Sequence, residues 1–227
     1  MMQRVILVIF LSIIAGCATT PKPLVGIVPG KVMETVQSSV SISTKTHEGS
    51  RGGRGYLIFR RPDRFHLAML SPFGITMLEV FSDNERLVCL IPSKNTAYTG
   101  LISELPAMEG VRGWGLMRWV VEIPPASGPA IKRENITSAG RREMIYYDGQ
   151  GVVSRKVTED GDQVSFKEYQ VYDGIAFPNV IELTTAYGEE IRITFDEPEL
   201  NRPVEDSALL PNLEGFSILP FTAFQGF

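Results

Sequence analysis

Val164–Phe195 reads VSFKEYQVYDGIAFPNVIELTTAYGEEIRITF. Asp173-Gly174 and Tyr187-Gly188 punctuate it, and the segments between are rich in β-branched and aromatic residues. Asp-Gly suits hairpin turns that need φ > 0. The last segment alternates, with Ile191, Ile193 and Phe195 on one face and Glu190, Arg192 and Thr194 on the other, which is the period of a half-buried strand. Working outward, turn glycines fall at Gly149, Gly161, Gly174 and Gly188, spaced 12, 13 and 14 residues apart. Met144–Tyr147, Val152–Thr158, Val164–Tyr172, Val180–Thr185 and Glu190–Phe195 are the strands this spacing predicts. With no helix between them they form an antiparallel meander. The apolar phase switches from Val164 and Phe166 to Tyr169 and Val171, which predicts a bulge.

The N-terminal half repeats the pattern. Val40–Lys45, Gly55–Arg61, Arg64–Leu70, Ile75–Phe81 and Arg86–Ile91 read as strands, and Phe65, Leu67 and Met69 share a face. Gly49–Gly55 (GSRGGRG) reads as a flexible hairpin loop, because a phosphate-binding loop would end in Gly-Lys-Ser/Thr and enter a helix. Three helices are expected. Lys31–Ser39 is the first and Leu101–Met108 a short second. Gly113–Ile123 is the third, with Leu116, Trp119, Val120 and Ile123 at i, i+3, i+4 and i+7 and Pro124-Pro125 to stop it. The fold class is mainly β with a few helices: a curved antiparallel half-barrel with its helices against the concave face. It forms one domain over residues 31–227, with an apolar C-terminal extension.

Composition narrows the function. With 22 Lys+Arg against 26 Asp+Glu the formal charge is −4, so there is no basic excess for nucleic acid. At 44% hydrophobic residues the chain is not disordered, and two His and two Cys leave little for a metal site or a His-based triad. His47 and His66 read as surface or satisfied core residues, Glu189-Glu190 as a solvated turn, and Cys89 as a buried, inert thiol. Arg51, Arg54, Arg60, Arg61 and Arg64 form a local basic cluster suited to solvent or to anionic headgroups. No catalytic motif, metal site or cofactor site is expected.

The N-terminus reads as a signal. Arg4 precedes the apolar run Val5–Ile14, too short to span a bilayer as a helix but right for a signal peptide. It ends in Ile14-Ala15-Gly16-Cys17, which resembles the lipobox of bacterial lipoproteins. That resemblance implies that residues 1–16 are removed, that Cys17 is lipidated and that residues 17–30 form a tether. Ala18 in place of Asp implies the outer membrane as destination.

Leu70-Ser71-Pro72-Phe73-Gly74-Ile75 puts an aromatic side chain where a loop tip is expected, between two strands. Asp63-Arg64-Phe65-His66-Leu67, then Ser71-Pro72-Phe73-Gly74-Ile75-Thr76-Met77-Leu78-Glu79-Val80, resembles the outer-membrane lipoprotein receptor family LolB. Leu116-Met117-Arg118-Trp119-Val120 resembles that family's tryptophan-bearing helix, and Phe177–Leu183 with Ile191-Arg192-Ile193 its closing hairpin. The resemblance implies an apolar cavity for lipoprotein acyl chains under a helical lid, with Trp114 and Trp119 as lid contacts or core. It also implies a LolA-type periplasmic carrier as partner, and a membrane-release loop built from Pro72, Phe73 and Gly74. The implied activity is non-enzymatic transfer of lipoproteins to the outer membrane; the alternative is a lipid-anchored scaffold or interaction module of the same fold. The chain departs from the family in running on through Pro198 and Pro203 to an aromatic tail, either an extra strand or a membrane contact.

Overall fold

The computed structural model describes residues 23–224 apart from 48, 84, 106–110, 127–130 and 138–139. The signal segment, Cys17 and the first part of the tether lie outside the described residues. The strands are β1 (Thr35–Thr46), β2 (Gly49–Arg60), β3 (Arg64–Leu70), β4 (Thr76–Asp83), β5 (Arg86–Ile91) and β6 (Thr96–Leu101). Helix α1 (Val111–Val121) follows, then β7 (Lys132–Ile136), β8 (Arg142–Tyr147), β9 (Val153–Thr158), β10 (Gln163–Tyr172), β11 (Ile175–Thr184), β12 (Glu190–Leu200) and β13 (Ser217–Pro220). All join one open, curved sheet in the order β13-β6-β5-β4-β3-β2-β1-β12-β11-β10-β9-β8-β7. Every pairing is antiparallel except β13 on β6, which is parallel.

Register explains the inner face. Leu57, Leu67, Val80, Cys89 and Tyr98 stand opposite one another across β2 to β6. Ile42, Ile193, Ile181 and Phe166 do the same across β1, β12, β11 and β10. These rows are buried and merge with the apolar side of α1 into one core. Because side chains alternate across a strand, β4 to β6 offer a second apolar row outward. Phe81, Val88, Leu90 and Ala97 form it, and Leu213 and Phe216 of the C-terminal segment cover it.

Several sequence expectations needed correction. Lys31–Ser39 is not a helix: β1 begins at Thr35 and pairs along its length with β2 and β12. Val36 and Val40 are spaced for a helix, yet Val36, Val40 and Ile42 also fit a period of two, and two partner strands decide the matter. Gly49–Gly55 is strand, not flexible loop. Glycine is needed there because a Cβ on Gly55 would lie 1.8 Å from the Ala68 carbonyl oxygen on β3. In β10 the register with β11 keeps the same offset on both sides of Glu168, so the expected bulge is absent; Glu168 itself is left out of the pairing and takes φ +57°. The Leu101–Met108 helix reduces to a single 3-10 turn at Ile102–Glu104, with 106–108 outside the described residues. Helix α1 spans Val111–Val121 and buries Leu116, Trp119 and Val120, as expected. Asp173 and Gly174 both take positive φ, as their turn requires.

Gly55→Ala is therefore expected to lower stability in urea by about 1–3 kcal/mol. Gly149→Ala, whose Cβ meets nothing within 4 Å, is expected to change it by less than about 0.5 kcal/mol. Equal effects of the two substitutions would contradict this packing.

Candidate functional site

Two features of the surface and core stand out, and the first is the β3–β4 turn. The Ser71 amide donates to the Ile75 carbonyl at 2.8 Å and the Gly74 amide to the Ser71 carbonyl at 2.9 Å. Ser71 Oγ also accepts from the Ile75 amide at 3.1 Å. Gly74 sits at φ +78°, a conformation glycine adopts without Cβ strain. This small locked frame projects Phe73, which is 90% exposed, with Ile75 and Met77 exposed beside it. Arg54 stands opposite Leu70 in the register. Strand β2 divides the basic cluster between two ends of the sheet: Arg51 and Arg54 stay exposed at the Phe73 end. At the other end Arg60 pairs with Asp206 at 2.6 Å, Arg61 with Glu122 at 3.2 Å and Arg64 with Asp83 at 3.8 Å.

The second feature is the seat of α1 in the concave face. At its first turn the buried Glu189 carboxylate lies 3.2 and 3.3 Å from the point where a Cβ on Gly113 would stand. Negative charge there complements the helix dipole. Arg112 bonds the fully buried Asp162 at 2.9 Å. At the other end Lys156, reaching in from β9, donates to the carbonyls of Trp119 and, at 2.8 Å, Glu122. Its ammonium also lies over the Trp119 ring, 4.8 Å from the centroid. Arg61 donates to the Ile123 carbonyl at 3.2 Å and to the Met33 carbonyl at 2.8 Å. These cations answer the unpaired carbonyls of a helix C-terminus. In the same last turn, the Trp119 indole donates to the buried Glu143 carboxylate at 2.6 Å.

The sequence model of the family described as Outer membrane lipoprotein LolB matches residues 35–197. The chain belongs to the LolB family. No curated protein matches it. Among solved structures it is similar to a LolA superfamily protein from Nitrosomonas europaea, at 11% identity and a TM-score of 0.52, over 79% of this chain and 91% of that one. It is also similar to a DUF1329 family protein from Desulfovibrio piger, at 10% identity and a TM-score of 0.55, over 78% and 92% of the two chains. At such identities the likeness is one of fold: mostly β, with a large curved sheet.

The LolB match covers the Phe73 turn, α1 and the groups that seat the helix, and stops within β12. Phe73, Pro72 and Gly74 sit together at one turn, while Trp114 and Trp119 are both buried on α1, apart from it. Cys89 is buried in the inner row, where desolvation pushes its thiol up to about 12. Glu189, expected in solvent, is buried beneath the helix, and only Glu190 is exposed, pairing with Lys45 at 3.2 Å. His66 is a satisfied core residue, 2.8 Å from the Ala208 carbonyl and 3.0 Å from the Glu79 carboxylate. Sequence reasoning missed Lys156, because Arg155 and Lys156 adjoin and nothing local says which base points inward. Two buried polar atoms have no partner among the described residues, Trp114 Nε1 and Ser82 Oγ.

Burial draws the Lys156 ammonium down from 10.5 to about 8, against the opposing pull of Glu143 and Glu122. Between those pH values the unfolded chain holds a proton that the folded one has released. Stability therefore gains a rising contribution from Lys156 across that window, and none below it. Unfolding free energies measured across the window should rise with pH more steeply for the native chain than for Lys156→Met. Parallel curves would contradict the buried position.

Proposed function

We propose that this protein is an outer-membrane lipoprotein, anchored through Cys17 and facing the periplasm, that accepts acylated proteins from a LolA-type carrier and passes them to the bilayer. The observation that carries the reading is Phe73: an aromatic side chain nine-tenths exposed on a turn held by three hydrogen bonds. An aromatic ring is at home in the membrane interface. Ile75 and Met77 extend the apolar tip, and Arg54 on the adjacent strand suits anionic headgroups. Membership of the LolB family and the LolA-like fold support the same reading.

In this reading α1 is a lid, and the apolar core beneath it receives the acyl chain. Val36, Leu57, Phe59, Phe65, Leu67, Val80 and Met117 have no accessible surface, so the helix must move for a chain to enter. Its seat combines charge-assisted hydrogen bonds, each contributing about 1.5–3 kcal/mol, with the burial of Trp114, Leu116, Met117, Trp119 and Val120. Each buried CH₂ of an incoming chain contributes about 0.8 kcal/mol, so a chain that takes the helix's place offsets the apolar contacts the helix gives up. Trp114 Nε1, an unpartnered donor within the apolar core, suits an ester carbonyl. No step needs a nucleotide or a catalytic group, since a tenfold preference over the carrier takes only about 1.4 kcal/mol.

A second reading has one observation behind it. The same filled core suits a lipid-anchored scaffold that carries no lipoprotein. Transfer from a loaded LolA-type carrier to outer-membrane vesicles separates the two. Phe73→Glu is expected to leave capture and the urea midpoint unchanged and to slow release by roughly tenfold or more. Undiminished release would overturn the role of Phe73, and failure of the native chain to capture any lipoprotein would leave the scaffold.

A further inference from the structure

The C-terminal segment lies beyond the LolB family match and crosses from one face of the sheet to the other. Up to Phe216 it is bound firmly to the outer face. Thr35 Oγ1 donates to the Arg202 carbonyl at 2.8 Å, and Arg60 pairs with Asp206. Leu209 is buried, and Leu213 and Phe216 cover the outer apolar row. The Ser217 amide then bonds the Asn95 carbonyl at 2.8 Å, and the chain turns over the β6 edge as β13. All four β13 side chains are exposed. Beyond it, Phe221 and Phe224 enter the inner core and are 5% and 4% exposed. Phe224 meets the Tyr98 ring edge-on at 5.0 Å, and Phe221 lies 6.3 Å from the same ring. Gly100 leaves room for Phe221, whose ring atom would lie 3.3 Å from a Cβ there.

Two aromatic rings thus close the β6 end of the inner apolar face. They arrive from outside on a four-residue exposed strand, whereas the rest of that face is lined by the sheet and covered by α1. We infer that the space held by Phe221 and Phe224 against Tyr98 and Gly100 is an acyl-chain subsite, and that these two rings fill it until a lipid acyl chain displaces them. The inference rests on the receptor reading and names one seat within it. Displacement requires that β13 peel from β6 and that the two rings give up their contacts with Tyr98, while the strap up to Phe216 keeps its own contacts on the outer face. An acyl chain offers only hydrocarbon, so it can meet the same apolar surfaces the rings leave.

The geometry supplies its own test. An ideal Cβ on Gly100 lies 4.0 Å from the Phe221 Cβ, within the range of about 3.5–4.5 Å that a disulfide spans. Gly100→Cys with Phe221→Cys should therefore lock β13 in place on oxidation and free it on reduction. Cys89, buried with its thiol pushed up, does not compete in exchange. The mature chain with Cys17→Ser is titrated with a fluorescent triacylated lipopeptide in detergent-free buffer. The reduced pair should bind as tightly as the native chain or more so, and the oxidised pair roughly tenfold or more weakly. A chain stopped after Phe216, shown folded by its near-ultraviolet dichroism, should bind at least as tightly as the reduced pair. Equal binding by oxidised and reduced forms would overturn the inference while leaving the receptor reading standing. Absence of binding by the native chain would overturn both.

Discussion

An open sheet this wide has an inner apolar face that it cannot bury by itself, and the rest of the structure depends on how helix α1 fills that face. Eleven residues of helix cover rows of Val, Leu, Ile and Phe drawn from strands in both halves of the sheet. Shape alone does not hold the helix there. Glu189 and Asp162 meet its first turn, and Lys156 and Arg61 meet its last carbonyls, so the sheet reads both ends of the helix dipole. Buried charges add little net stability, because desolvation offsets their attraction. What they do is fix position. A seat fixed by charges at both ends, over apolar contacts that have no direction of their own, sets the helix in one place on the face.

The outer face has its own order. In β4 and β5 both alternating rows are apolar, so those strands need cover on two sides, and the C-terminal strap supplies the outer one. His66 stacks on Phe81 at 3.9 Å and bonds the strap carbonyl of Ala208, tying the second core to the first through β3. The strap also pairs its last strand with β6, which would otherwise present an open edge. Phe73, by contrast, is left bare on a frame of local hydrogen bonds. With Ile75 and Met77 exposed beside it, the ring makes a small apolar tip that nothing in the described residues covers.

Much of this was legible in the sequence, for physical reasons. Strand β12 announces itself because Ile191, Ile193 and Phe195 alternate with polar residues after a turn glycine, β5 because Leu87–Ile91 is a short apolar run, and α1 because Leu116, Trp119 and Val120 keep a helical period. The Phe73 turn was legible because Pro72 and Gly74 allow little else. The rest depended on partners distant in the chain. Val36 and Val40 suit helix or strand equally until β2 and β12 flank them. Gly55 looks like a loop glycine until Ala68 on the next strand leaves no room for a Cβ. Glu189 and Lys156 look solvated until α1 lies over them, and the positions of Phe221 and Phe224 follow from a strap whose path no local pattern encodes.

The central claim is that the face beneath α1 receives an acyl chain. Its most direct test is photolabelling with a triacylated lipopeptide whose acyl chains carry a diazirine, followed by mapping of the modified residues. The account predicts labelling of inner-face residues such as Leu57, Phe65, Tyr98 and Trp119, competed by unlabelled lipopeptide. Labelling confined to the outer row of Phe81, Val88 and Leu90, or absent from a folded chain, would contradict it.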